Sequence, residues 1–343
     1  MTTSTVIDEL LDTSKVLVVA GLGGVGKTTL SASLAARSAT RLGRRALVVT
    51  IDPARRLTDV LGSETLSVEP ILVPVDGEGR LWAQTVDMSH GWNRLVASCA
   101  PDQATSERLQ ANKLYQSLTT RFIRSHDFIA LDYLADVATE KKYDLVVVDT
   151  PPSTHVLDIL DAPDEMMKLF ESRLLSWLTR PDQSLVSSAL AKPFLAIAER
   201  ALGDNFLSEV TEFFLLFSEL RPAFVARTEG IQQRLTAPGT RFVTVTTPEP
   251  AAAASAVKLQ SALVERGYHP ALTIRNKAWP DMLAVPWSQI STVTNPELRA
   301  ALLEVQTKAT AESDHHVGRT SRVDVAFAPS GITSIDDLCS LID

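Results

Sequence analysis

The chain has 343 residues, 45% of them hydrophobic, which is enough to bury a large core as one α/β domain or one domain with a sizeable insertion, and which excludes disorder as its general state. Its 33 Lys and Arg against 41 Asp and Glu give a formal net charge of -8, without the basic footprint that nucleic-acid binding requires, so no nucleic acid is expected as a partner. The two cysteines, Cys99 and Cys339, lie far apart without a C-x-x-C, which excludes a disulfide framework and a thiolate zinc site and leaves buried thiols as the expectation.

Met1 to Lys15 carry neither a basic leader nor an apolar leader segment. No uninterrupted apolar run reaches about 18 residues, so a cytoplasmic protein is expected. The apolar run Val16 to Ala20 then reads as a buried strand, and Leu30 to Leu42 as a helix. Between them stands Gly21-Leu22-Gly23-Gly24-Val25-Gly26-Lys27-Thr28-Thr29, in which Gly21, Gly26, Lys27 and Thr28 fill the fixed places of G-x-x-x-x-G-K-[ST]. Strand before and helix after are the context this phosphate-binding loop needs. Its glycines let backbone N–H groups curl round a phosphate, the helix start adds the positive end of its dipole, Lys27 adds a mobile point charge, and Thr28 offers a hydroxyl to Mg²⁺.

Arg45 to Asp52 is a second buried-strand run, and Asp52 stands at its carboxyl end, where open α/β sheets put their ligands. In that place it can orient or deprotonate the water that attacks a γ-phosphate, or simply cap the helix beyond Pro53. Leu81 to Val86 is a third strand, and His90 to Glu140 is helical and polar without visible chemistry. His90, His126 and His155 lack the spacing of metal ligands on one element, and structural or surface roles are expected for them. Asp144 to Asp149 is the strongest strand, and Asp149 at its end is a Walker B carboxylate, expected to hold Mg²⁺ through a water opposite Thr28. The loop Thr150 to His155 comes next, stiffened by Pro151 and Pro152 and suited to sensing the γ-phosphate.

Asp164 to Thr236 is helical and dense in large apolar groups. Phe206, Val210, Phe213, Phe217, Leu220 and Phe224 recur by three and four, widened by Leu207, Phe214, Leu215 and Leu216, with Pro222 expected to kink the helix. This stripe is either the core of a helical subdomain, set at residues 90–140 and 164–236, or a groove for an apolar client or a membrane-protein partner. The βαβ rhythm returns with strands at Arg241 to Thr247 and Ala271 to Lys277 around a helix from Ala251 to Arg266. Asn276 closes the second of these strands, as a turn former or as a base reader. A guanine reader takes Asn-Lys-x-Asp, and Trp279 stands where that Asp belongs, so ATP is expected rather than GTP. Next come a helix capped by Asn295 with Pro296 at its first position, surface residues His315 and His316, and a last strand at Arg322 to Ala328. The expected fold is a doubly wound, mostly parallel α/β sheet with helices on both faces and an inserted helical subdomain.

Taken as a set, Gly21 to Thr29, Asp52-Pro53-Ala54 and Asp149 to Leu157 resemble the ATPases of arsenite pumps and of tail-anchored-protein targeting. Asp52 to Leu57 and Leu157 to Pro163 are similar to an actinobacterial branch of that family usually labelled anion-transporting ATPase. The resemblance implies a dimer whose protomers face each other across ATP and close when it is bound. It also implies that Asn276 reads the adenine edge and that the loop Pro329-Ser330-Gly331 passes over the adenine. The sequence departs from the family at Leu22, where the family has a lysine that reaches the partner's phosphates, and at Thr154, where it has a glycine. The family's metalloid-binding and zinc-binding cysteines have no match, so neither arsenite nor zinc is expected. The resemblance thus implies an ATP- and Mg²⁺-dependent hydrolase, a homodimer or a heterodimer with a lysine-bearing paralogue, unless Arg55 or Arg56 supplies the missing charge. Its nucleotide state is expected to act on an apolar client or a membrane-protein partner, which would hold it peripherally at a membrane. The alternative is a regulatory subunit that binds ATP with little turnover and completes the paralogue's site.

Overall fold

The computed structural model describes residues 3–51, 56–62, 66–86, 88–121, 123–170, 206–278, 290–313, 320–328 and 334–342. Asp52 to Arg55, Trp279, His315, His316 and the Pro329 loop lie outside the described residues, as do the side chains of Arg56, His126, Thr154, His155, Phe206 and Leu207. The chain divides into two compact units, one of Met1–Val86, Val137–Leu157 and Thr236–Asp343, the other of Asp87–Asp136 and Asp158–Leu235.

The first unit is built on an eight-stranded sheet: β1 (Val16–Gly21), β2 (Arg45–Thr50), β3 (Ile71–Val73), β4 (Arg80–Thr85), β5 (Leu145–Asp149), β6 (Thr240–Thr246), β7 (Pro270–Ala278) and β8 (Ser321–Ala326). Its order is β3-β4-β2-β5-β1-β6-β7-β8, and every pairing is parallel except that of β3 with β4. Strands covered on both faces must be apolar throughout, and every residue of β1 and β5 is buried. β8, at the edge, alternates buried and exposed residues instead.

From β1 the chain moves through helix α2 (Lys27–Thr40) to β2 on one side, whereas from β6 it moves through a helix at Pro250–Glu265 to β7 on the other. Right-handed crossovers in opposite directions place their helices on opposite faces, so the sheet is doubly wound. Helix α1 (Thr3–Thr13) and a short C-terminal helix (Ile335–Ser340) are tied to α2 by one side chain. Arg37, 1% exposed, donates through Nε to Asp8 Oδ1 at 2.7 Å, through Nη1 to the Ile342 carbonyl at 3.1 Å and through Nη2 to Ser4 Oγ at 2.6 Å. Neither helix is anticipated from the sequence, although the second has a capping box between Ser334 and Asp337. At the amino end of the sheet the Arg45 guanidinium donates to Asp144 Oδ1 at 2.7 Å and holds that carboxyl at about 2.

Asn295 caps the helix Pro296–Ser313 as expected, its Oδ1 accepting from the N–H groups of Glu297 and Leu298 at 3.0 and 3.1 Å. In the order of the chain α3 is Arg56–Leu61, and the helices Pro250–Glu265, Pro296–Ser313 and Ile335–Ser340 are α11, α12 and α13.

Among the described residues the second unit holds helices α4 (Met88–Cys99), α5 (Gln103–Ala111), α6 (Lys113–Arg121), most of α7 (Ile123–Thr139) and of α8 (Ser153–Phe170), α9 (Phe206–Glu219) and α10 (Arg221–Leu235). The apolar stripe is its core: Phe213, Leu216, Phe217, Leu220 and Phe224 are buried, with Phe213 stacked on Phe217 and Phe224 on Phe128. Val210 and Phe214 are half-buried, and Leu215 is exposed. Pro222 does not kink a helix; the chain breaks at Leu220, and Pro222 is the second residue of α10. A proline lacks the N–H that an uninterrupted helix needs, and in a first turn that N–H has no partner to lose. Arg227 pairs with Asp132 and Asp136 within this unit, while burial pushes the Asp132 carboxyl up. Cys99 is buried with its thiol pushed up by burial, and Cys339 is half-buried; neither is in a disulfide. Among the described residues no helix is long and apolar enough to cross a membrane.

Candidate nucleotide site

The chain leaves β5 toward β6 and leaves β1 toward β2, so the direction of winding reverses between these neighbouring strands. Crevices at the carboxyl ends of such strands are where open α/β sheets place ligands. Here the two ends carry the glycine loop, after β1, and Asp149, the last residue of β5.

The loop is held by its own apolar residues. Val25 is buried and Leu22 packs partly buried against the sheet's core, while Gly23 and Gly24 between them are exposed. Gly21 approaches the neighbouring strand so closely that a Cβ would lie 2.2 Å from the Val245 carbonyl oxygen. Gly26 caps α2 with φ 95°, and Gly24 has φ 80°; both are in the left-handed region that glycine adopts without strain. The first N–H groups of α2 have no carbonyl earlier in the helix to bond, and with the helix dipole they make the loop mouth attractive to an anion. Lys27, 6% exposed, lies along the loop with Nζ donating to the Leu22 carbonyl at 3.0 Å. Thr28 and Thr29 are half-buried.

Asp149 is 1% exposed and ringed by hydroxyls. Thr28 Oγ1 donates to its Oδ2 at 2.9 Å, Thr50 Oγ1 to the same oxygen at 3.1 Å, and Ser31 Oγ to Oδ1 at 3.5 Å. Thr28 and Ser31 reach it together because residues three apart share a helix face. Thr50 reaches it because β2 and β5 pair with Thr50 opposite Asp149. Thr150, next in the chain, turns back and donates to the Val19 carbonyl at 2.7 Å, and Pro152 comes within 3.8 Å of where a Gly23 Cβ would stand. A carboxylate and a hydroxyl at one point are hard oxygen ligands, the donor set Mg²⁺ takes when phosphates and waters complete its shell. Among the described residues no three His, Cys, Asp or Glu gather as a metal cluster.

Asn276 meets the loop from β7, its Nδ2 donating to the Val25 carbonyl at 2.8 Å and its Oδ1 accepting from the Lys277 N–H at 2.9 Å. An amide keeps one further N–H and one further lone pair in this state. The strand does not end at Asn276 but continues to Ala278. Sequence reasoning brings Lys27, Thr28, Asp149 and Asn276 to one place and misses Ser31, Thr50 and Lys277. Ser31 was within reach, three residues after Thr28. Thr50 needed the strand register, which no local pattern carries. Asp52 and Pro329 lie outside the described residues, and His90 is exposed on the helical unit.

A mostly parallel, doubly wound sheet with this loop after its first strand and this carboxylate on the neighbouring one defines a P-loop α/β protein. The family profile described as anion-transporting ATPase matches residues 14–288, and the chain belongs to that family. It is similar to a protein of Paramecium tetraurelia named ATPase ASNA1 homolog 2, 32% identical over 161 residues, 45% of this chain and 46% of that protein. It is similar to an uncharacterized protein of Streptomyces coelicolor, 32% identical over 155 residues, 45% of this chain and 38% of that one. With a protein of Aspergillus terreus named ATPase get3 it shares 31% identity over 153 residues, 44% of each. The chain spans less than half the length of these curated relatives in each match.

Proposed function

We propose that this chain binds ATP with Mg²⁺ and hydrolyses it, and that it works as a dimer whose nucleotide state drives a conformational change. The observation that carries the reading is the 2.9 Å hydrogen bond from Thr28 to the buried Asp149, which brings the loop hydroxyl and the strand-end carboxylate to one point at the reversal of the sheet. Membership of an ATPase family and relatives named as ATPases support it.

In this reading the N–H groups of the loop and of the first turn of α2 hold the phosphates, and Lys27 exchanges the Leu22 carbonyl for a phosphate oxygen. Thr28 and, through water, Asp149 would hold Mg²⁺, which when bound neutralises charge on the phosphates. Thr50 and Ser31 orient the Asp149 carboxylate. Asp52 orients the attacking water or takes its proton, Asn276 reads the adenine edge with its remaining N–H and lone pair, and the Pro329 loop covers the base. The coupled task is the handling of an apolar client or a membrane-protein partner by a cytoplasmic dimer. The buried stripe of α9 and α10 is not available for that task, so such a client would engage another surface.

A second reading has one observation in its favour: Leu22 is partly buried on the sheet's core, where a phosphate-reaching cation is absent. The chain would then hold ATP with little turnover and complete the site of a lysine-bearing paralogue.

Steady-state hydrolysis and equilibrium ATP binding, measured on the wild type and on Asp52→Asn, test the proposal. The carboxylate acts on water in the transition state, so the variant is expected to keep ATP affinity and lose about 10² to 10⁴ in rate. Equal losses of affinity and rate would make Asp52 a helix cap, and a wild type that binds ATP without turnover would favour the second reading.

A further inference from the structure

β7 is irregular where it passes the loop. Its register with β8 runs through Arg275↔Asp324 and resumes at Ala278↔Ala326, so two residues of β7, Asn276 and Lys277, oppose the single Val325. Bulges of this kind are uncommon between parallel strands and re-aim the side chains they carry. Lys277 has φ 57°, the one non-glycine residue with positive φ among the described residues. A side chain with a Cβ is strained there, and such strain gathers at functional sites.

The bulge sends two successive side chains to two successive carbonyls of the glycine loop. Asn276 Nδ2 donates to the Val25 carbonyl at 2.8 Å, and Lys277 Nζ, on an exposed side chain, donates to the Gly24 carbonyl at 3.0 Å. The absence of a side chain at Gly26 leaves the room, since a Cβ there would lie 2.2 Å from Asn276 Nδ2. The Arg275–Asp324 ion pair, with Nε to Oδ1 at 3.0 Å, fixes β7 to β8 one residue before the bulge.

In a planar trans peptide the C=O and the following N–H point in opposite directions. Holding the Gly24 and Val25 carbonyls from outside the loop therefore turns the N–H groups of Val25 and Gly26 the other way. Without that hold, the glycines on either side leave both peptides free to flip. We propose that Lys277 is a positioning residue of the nucleotide site, clamping the Gly24 peptide from β7 so that the loop's N–H groups stay aimed at a bound polyphosphate. The strain at Lys277 is the cost of placing a cation there rather than a glycine.

This rests on the nucleotide-binding reading, and the test separates the two. Affinities for ATP and for inorganic tripolyphosphate, together with a thermal melt, are measured on the wild type, Lys277→Gly and Lys277→Met. A charge-assisted hydrogen bond lost from the loop is expected to weaken both ligands about ten-fold in both variants. Lys277→Gly, relieved of strain, is expected to melt at the same temperature as the wild type or higher, which a merely structural residue would not do. Wild-type affinities in the variants would overturn the clamp. So would a loss confined to ATP, which would make Lys277 a nucleoside contact, or a lowered melting temperature in Lys277→Gly. A wild type that binds neither ligand would remove the nucleotide-binding reading itself, and the clamp with it.

Discussion

Gly26 shows how closely the loop is fitted. A methyl group there would stand 2.2 Å from Asn276 Nδ2 and force φ 95° on a residue with a Cβ. Gly26→Ala is expected to break the Asn276 to Val25 bond, destabilise the protein by about 1–3 kcal/mol and weaken ATP binding, read by a melt and a titration. The opposite end of the sheet tests the electrostatics apart from the site. Arg45 holds the Asp144 carboxyl at about 2, below its usual value near 4, so the pair stabilises the fold above pH about 4. That contribution is lost as the pH falls from about 4 through 2. Asp144→Asn should therefore melt closer to the wild type at pH 2 than at pH 7, a small difference because both side chains are partly exposed to screening solvent. An equal gap at both pH values would contradict the assignment.

The elements differ in how far the sequence reveals them. β1 and β5 are legible because a strand covered on both faces must be apolar throughout, and the glycine loop is legible because its glycines, Lys27 and Thr28 are contiguous. β3 has three residues and exists through its antiparallel pairing with β4, which no short window encodes. The bulge at Asn276 and Lys277 is likewise a property of the β7 and β8 register. In α9 the spacing of Phe213, Leu216 and Phe217 identifies an apolar face, but periodicity alone does not say whether the face is covered. The structure buries it. Replacing Phe213 and Phe217 together by Ser removes a stacked pair and leaves cavities, at a cost of about 3–5 kcal/mol for each ring. The double variant is expected to lose the helical unit's near-UV signal and melt cooperatively at lower temperature. A folded variant with wild-type stability would mean that the stripe is not core.

The whole molecule is expected to act as a pair of chains. A cation supplied across an interface to a transferring phosphoryl group is worth about 10³ to 10⁵ in rate in related NTPases. Leu22 cannot supply it. Turnover of the homodimer should therefore be slow and should rise with Leu22→Lys or on mixing with a lysine-bearing paralogue. A wild-type homodimer as fast as either would refute the need for that lysine. All of this depends on the loop binding ATP, and the most direct test is an equilibrium titration of ATP, with Mg²⁺ present, into the wild type and Lys27→Ala, each with a thermal melt. Lys27 Nζ donates to the Leu22 carbonyl of the loop itself, and the variant is expected to keep its fold and lose ATP binding. A folded Lys27→Ala with wild-type ATP affinity would contradict the account.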